Sequence, residues 1–110
     1  MMSRCFQIQA QDNVATLIED AAAGPVRVIG AGEGEVLALE PILHGHKIAL
    51  ADIAAGAAMI KYGVRMGVAT RLIRHGAWVH LHNMASDFDQ RSGTLDQQSG
   101  APIDTASAYV

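Results

Sequence analysis

The sequence predicts one mainly β domain with a single short helix near its N-terminus. Three observations carry that prediction. Short apolar runs of strand length are separated by glycine-bearing turns about every ten residues, the spacing of a compact, largely antiparallel β fold. The unit Ile-x-x-Gly occurs at Ile42–Gly45, Ile53–Gly56 and Ile73–Gly76, each time just ahead of a strand-like run. After Pro41 no segment keeps a helical period long enough to form the crossover that a parallel sheet needs.

The elements follow in order. Cys5, Phe6 and Ile8 alternate weakly within Arg4 to Gln9, which predicts a first strand. Asp12-Asn13 offers an N-cap, and Val14, Leu17, Ile18 and Ala21 recur at helical spacing, so a helix is expected over 13–23. Gly24-Pro25 would close it. Val26 to Ile29 is β-branched and leads to Gly30-Ala-Gly-Glu-Gly34. Those glycines miss the G-x-G-x-x-G spacing and the following helix of a phosphate-cradling loop, so they read as a hairpin connection. Val36-Leu-Ala-Leu39 runs straight to Pro41, which leaves little room for a helix.

The three Ile-x-x-Gly units introduce runs at His46 to Leu50, Ala58 to Tyr62 and Ala77 to His82. In each unit Ile plugs the core, the next two residues turn, and Gly takes a positive φ. Gly63 and Gly67 bracket another short strand around Arg65-Met66. From residue 85 to 110 the chain turns polar, rich in Asp, Gln, Ser, Thr and Gly. Such a segment buries too little area to offset its ordering entropy. The expected division is therefore a domain over 1–84 and a tail over 85–110 that is flexible or docks on a partner.

Composition excludes several functions. The chain has 110 residues, 50% of them hydrophobic, with one Trp, two Tyr and two Phe. That suits a modest core of small aliphatic side chains, helped by burial against a partner or in a homo-oligomer. A net charge of −3 without a basic stripe argues against nucleic acid. No apolar run approaches the ~20 residues that span a bilayer, and Met1 to Gln7 lacks the apolar core of a signal peptide. Cys5 is the lone cysteine, which excludes an intrachain disulfide and suits a reducing cytoplasm. It reads as a packed strand residue rather than a nucleophile.

Histidine carries the functional signal. Four of the five histidines occur as His-x-His, at His44/His46 and His80/His82. If Ala77 to Asn83 is a strand, His80 and His82 share a face with Cβ atoms about 7 Å apart, at a rise of ~3.3 Å per residue. Two imidazoles so placed can converge on one metal ion or one anion. Trp78 is expected on the opposite side, toward the core or an interface. His75 beside Gly76 reads as turn chemistry.

The stretch His44-Gly-His-Lys-Ile-Ala-Leu-Ala-Asp-Ile-Ala-Ala-Gly56, then Ile60-Lys-Tyr-Gly63, Gly67-Val-Ala-Thr70 and His80-Leu-His-Asn83, resembles the SAF domain of altronate and galactarate dehydratases. That domain has the β-clip fold, and Asp12-Asn13-Val14-Ala15 is similar as well. The resemblance spans residues 3 to 84 and leaves the tail unmatched. It implies a larger catalytic region, in the same chain or as a separate large subunit, that dehydrates a sugar acid to a 2-keto-3-deoxy acid. It also implies a divalent metal, Fe2+ or Mn2+, in the assembled enzyme.

On this reading His80 and His82 are catalytic and metal-ligating. His44, His46, Lys47, Lys61, Tyr62 and Asn83 contact substrate. The lysines can pair with a carboxylate and Tyr62 can donate to a hydroxyl. The chain lacks the converging carboxylates of a hard-metal site, so the partner supplies much of it. Two other readings stay open: the small subunit of a sulfolactate sulfo-lyase, and a SAF module that only binds or scaffolds.

Overall fold

A computed structural model of the chain describes residues 2–87. Nine strands account for its regular elements: β1 Arg4–Gln7, β2 Val14–Leu17, β3 Gly24–Gly30, β4 Glu35–Ala38, β5 Lys47–Ala49, β6 Ala58–Lys61, β7 Val64–Ala69, β8 Trp78–Val79 and β9 Met84–Ser86. They form a six-stranded sheet in the order β4-β3-β1-β2-β5-β8 and a three-stranded sheet β6-β7-β9. All pairings are antiparallel except that of β1 with β3, which run parallel. The mainly β prediction holds. No helix among the described residues is long and apolar enough to cross a membrane. The polar segment begins inside β9, and its remainder, 88–110, lies outside the described residues.

The predicted helix over 13–23 is instead strand β2 followed by a bend. Val14, Ala15 and Leu17 are all buried, but in two different cores, which one helical stripe cannot achieve. β1 and β5 flank the segment and take up its backbone hydrogen bonds. The expected caps serve elsewhere. The buried Asp12 carboxylate accepts from the amides of Gln9 (3.0 Å), Tyr62 (3.2 Å) and Gly63 (2.8 Å). Asn13 bonds β6 through Ala58 O at 2.9 Å and Ile60 N at 2.8 Å. Gly24-Pro25 opens β3 rather than closing a helix.

The Ile-x-x-Gly units behave as expected. Ile42, Ile53 and Ile73 are fully buried, and Gly45, Gly56 and Gly76 have φ of 85°, 84° and 93°. The residue after each Gly donates back across the turn, as His46 N does to Leu43 O at 3.0 Å. A positive φ at the third turn position is the requirement of a type II turn. Each Gly amide then joins a neighbouring strand, Gly45 to Leu17 O, Gly56 to Ala69 O and Gly76 to Ala49 O.

Two cores result. One packs Cys5, Ala15, Leu17, Val26, Val28, Val36, Ile42 and Ile48 on one face of the large sheet. The other packs Val14, Ala49, Val79 and the small sheet's Met59, Ala69 and Met84 around Ile53 and Ile73. The outer ends of the large sheet also approach each other, because Leu39 N bonds Gly76 O at 3.0 Å and Trp78 N bonds Glu40 Oε2 at 3.2 Å. The antiparallel pairing of β8 with β5, Trp78 opposite Ile48 and Val79 opposite Lys47, places the residues after β8 beside the start of β5.

Candidate functional site

His80 to Asn83 is a turn, not the continuation of a strand; β8 ends at Val79. Asn83 imposes it. Its Oδ1 accepts from His80 N at 3.0 Å, and its Nδ2 donates to Trp78 O at 2.8 Å, a local side-chain bond that competes with the sheet ladder. Met84 N then bonds His80 O at 3.0 Å. The turn is pinned from outside by Thr70 N on Asn83 O (2.9 Å) and by the Arg71 guanidinium on His82 O. Asn83 is buried, and both ends of its amide are committed to holding the turn.

Trp78 lies on the histidine side, contrary to the sequence expectation. Residues 78 and 80 differ by two, so alternation itself puts them on one face. The indole stacks on His80 with centroids 5.3 Å apart and planes at 11°, and meets the His82 ring at 4.8 Å and the His46 ring at 5.6 Å. His46 and His80 are 5.2 Å apart. The tryptophan is thus the hub that gathers one histidine from the His44/His46 pair and both from the other. Trp78 Nε1 donates to His46 Nδ1 at 3.1 Å, which leaves the proton of neutral His46 on Nε2. An apolar hollow of about 240 Å3 opens beside the rings, lined by Pro41, Leu43, His46 and Trp78.

Lys47 follows His46 and enters β5, where it is 8% exposed. No carboxylate among the described residues pairs with it. Burial, and then repulsion from Lys61, push its ammonium down to about 8. His80 is likewise held below the ordinary imidazole range, first by burial, then by His46, Lys47 and His82. The field here is positive, which favours a neutral His80 and an anionic visitor. Lys61 ends β6 with its ammonium 5.1 Å from the centroid of the Tyr62 ring.

Tyr62 and Gly63 form the two-residue tip of the β6–β7 hairpin, with φ of 60° and 72°. That pair of positive φ values defines a type I′ turn, a costly conformation for tyrosine. Tyr62 is exposed at this tip and makes no ring contact with the histidines. His44 is also exposed, in the turn before β5, with its amide on Asp20 Oδ1 at 2.8 Å. The structure therefore gathers the rings of His46, His80 and His82 at Trp78, and leaves His44 and Tyr62 outside the ring cluster. It sets Lys47 opposite Val79 on the other face of β5, but within electrostatic reach of His80 and Lys61. Cys5 is fully buried with its thiol pushed up to about 11, which suits packing and not catalysis.

The donor set does not by itself fit a hard divalent ion. Among the described residues no three His, Cys, Asp or Glu side chains form a group able to hold a metal. Around His80 and His82 the charged neighbour is a lysine, and His46 turns its lone pair toward the indole. Fe2+ or Mn2+ would meet imidazoles only, without the carboxylates such ions prefer.

A family model described as the altronate/galactarate dehydratase SAF domain matches residues 3–87. The chain is 41% identical over 88 residues to altronate dehydratase of Escherichia coli, covering 77% of this chain and 17% of that protein. It is 34% identical over 87 residues to altronate dehydratase of Bacillus subtilis, covering 79% and 17%. It is also 45% identical over 40 residues to (2R)-sulfolactate sulfo-lyase subunit alpha of Chromohalobacter salexigens, covering 36% of this chain and 43% of that subunit. The chain thus spans a small part, 17%, of either altronate dehydratase. With matched residues running from β1 through β9, the chain belongs to the altronate/galactarate dehydratase SAF-domain family.

Proposed function

We propose that this domain is the small part of a sugar-acid dehydratase, a hydro-lyase that is silent until a large catalytic region joins it. The observation that carries the proposal is the gathering of His46, His80 and His82 around Trp78, with the buried Lys47, which pairs with no carboxylate among the described residues, in electrostatic reach of His80. Dehydrating a 2,3-dihydroxy acid removes the proton beside the carboxylate and expels hydroxide, which leaves protonated as water. The resulting enol then becomes the 2-keto-3-deoxy acid. His80, kept neutral by its surroundings, is suited to take the proton, and His82, exposed on the same turn, to protonate the leaving group. Lys47 and Lys61 supply the positive field that an enediolate needs. A divalent ion held by the assembled enzyme would need carboxylate ligands from the large region, because none converge on these histidines among the described residues.

Exposed Leu43 beside the hollow and Leu81 between the two histidines give that region an apolar surface to cover. We place the complex in the cytoplasm, in keeping with a lone buried cysteine. A second reading rests on the likeness to a sulfo-lyase subunit alpha, and assigns the same site to elimination of sulfite from sulfolactate. The test is to mix the full chain with the large catalytic region of an altronate dehydratase stripped of its own SAF domain. Altronate and galactarate should be consumed only by the mixture. Sulfolactate consumed when the chain is mixed instead with the catalytic partner of a sulfolactate sulfo-lyase, and neither sugar acid consumed with the altronate dehydratase region, would select the second reading. Turnover by this chain alone, or none by any mixture, would refute the division of labour.

A further inference from the structure

β2 and β5 set Thr16 directly opposite Lys47 in antiparallel register. Residues so paired project from the same face of the sheet, with Cβ atoms about 5 Å apart. Both are left unmatched. The Thr16 hydroxyl is buried and has no hydrogen-bond partner, and Lys47 has no carboxylate partner among the described residues. Buried polar groups are otherwise nearly always satisfied, so the closed Thr16 hydroxyl beside a cation with no carboxylate partner calls for a ligand. Lys61 adds a second cation from the neighbouring hairpin. Asp12, the acid that faces Lys61, is already bonded to the amides of Gln9, Tyr62 and Gly63.

We infer that Thr16 and Lys47 form a carboxylate subsite. One carboxylate oxygen accepts from the Lys47 ammonium and the other from the Thr16 hydroxyl, with Lys61 contributing charge. Two donors side by side match the two oxygens of a planar carboxylate. The Thr16 hydroxyl is closed to solvent while Lys47 keeps 8% exposure, so the ligand enters from the lysine side. The inference rests on the dehydratase reading for the identity of the acid, a sugar acid, and it adds Thr16 to the residues that hold it.

The test is a titration of the full chain with galactarate, followed by NMR at the Thr16 methyl and the Lys47 ε-methylene. Both signals should shift saturably, and the neutral polyol galactitol should move neither. Thr16→Val should weaken binding about tenfold, the scale of one hydrogen bond to a charged group, and Lys47→Met at least as much. Thr16→Ser, which keeps the hydroxyl, should bind as the wild type does. Unmoved signals, undiminished binding by Thr16→Val, or loss in Thr16→Ser would overturn the subsite. Equal binding of inorganic sulfate would overturn its assignment to carboxylate. Galactarate binding at these residues without turnover in any reconstituted mixture would remove the dehydratase reading and leave the subsite. Turnover without that binding would do the reverse.

Discussion

Lys47→Met should make the protein more stable at neutral pH. A lysine that falls from 10.5 to about 8 on folding carries a bias against its charged form worth up to about 3 kcal/mol. The folded value is the lower one, so between those two values the unfolded chain binds more protons. Stability therefore rises with pH through the window from about 8 to 10.5, and below 8 the full penalty is present. Methionine has a similar length and no charge to desolvate. Allowing for imperfect packing, the gain at pH 7 should be about 2 kcal/mol, or ~10 °C for a domain of this size. Thermal melts of both proteins at pH 7 and pH 10 check this. The variant should melt higher at pH 7, and the gap should narrow at pH 10. A variant that melts lower at pH 7, or a gap that ignores pH, would show that Lys47 is compensated and would undo the reasoning.

Three further outcomes follow from the fold. Gly56→Ala should cost about 1 kcal/mol, the price of a positive φ, because no atom of the described residues lies within 4 Å of the added Cβ. Gly76→Ala should cost roughly twice that or more, because its Cβ meets the Leu37 carbonyl; equal losses in urea titrations would contradict the packing. Tyr62→Asn puts a residue that favours a type I′ turn at φ 60° and should raise the thermal midpoint by a few degrees, about 0.5 kcal/mol after loss of the Lys61 contact. A lowered midpoint would show that the tyrosine stabilises its own strained turn. Cys5 should resist alkylation at pH 8 until the protein unfolds, and rapid labelling of the native chain would contradict its burial.

What was legible in the sequence was local. A type II turn needs Gly at one position whatever surrounds it, so Ile42–Gly45, Ile53–Gly56 and Ile73–Gly76 were readable from spacing alone. The segment 13–23 was not. Val14, Leu17, Ile18 and Ala21 fit a helix, and only the arrival of β1 and β5 on either side settles the matter in favour of a strand. Asp12 and Asn13 have capping chemistry, but the amides they satisfy belong to β6 and its hairpin, nearly fifty residues away. At the candidate site, the His-x-His pattern picked out three residues whose rings meet at Trp78, but on a turn rather than a strand, because Asn83 bends the chain back on Trp78. The parity of Trp78 and His80 was visible and points to the stacking that the structure shows. Thr16 was out of reach, since its neighbour Lys47 is known only once β2 and β5 are in register.

If the rings gathered at Trp78 act on substrate, their loss must appear in kcat/KM of the reconstituted mixture on its acid. His80→Ala and His82→Ala should each lower kcat/KM by about a hundredfold, the scale of a lost general acid or base, while the thermal midpoint of the chain barely moves. His75→Ala, in the Gly76 turn outside the ring cluster, should leave kcat/KM unchanged. Equal activity across the three variants would contradict the account and leave the histidines as surface.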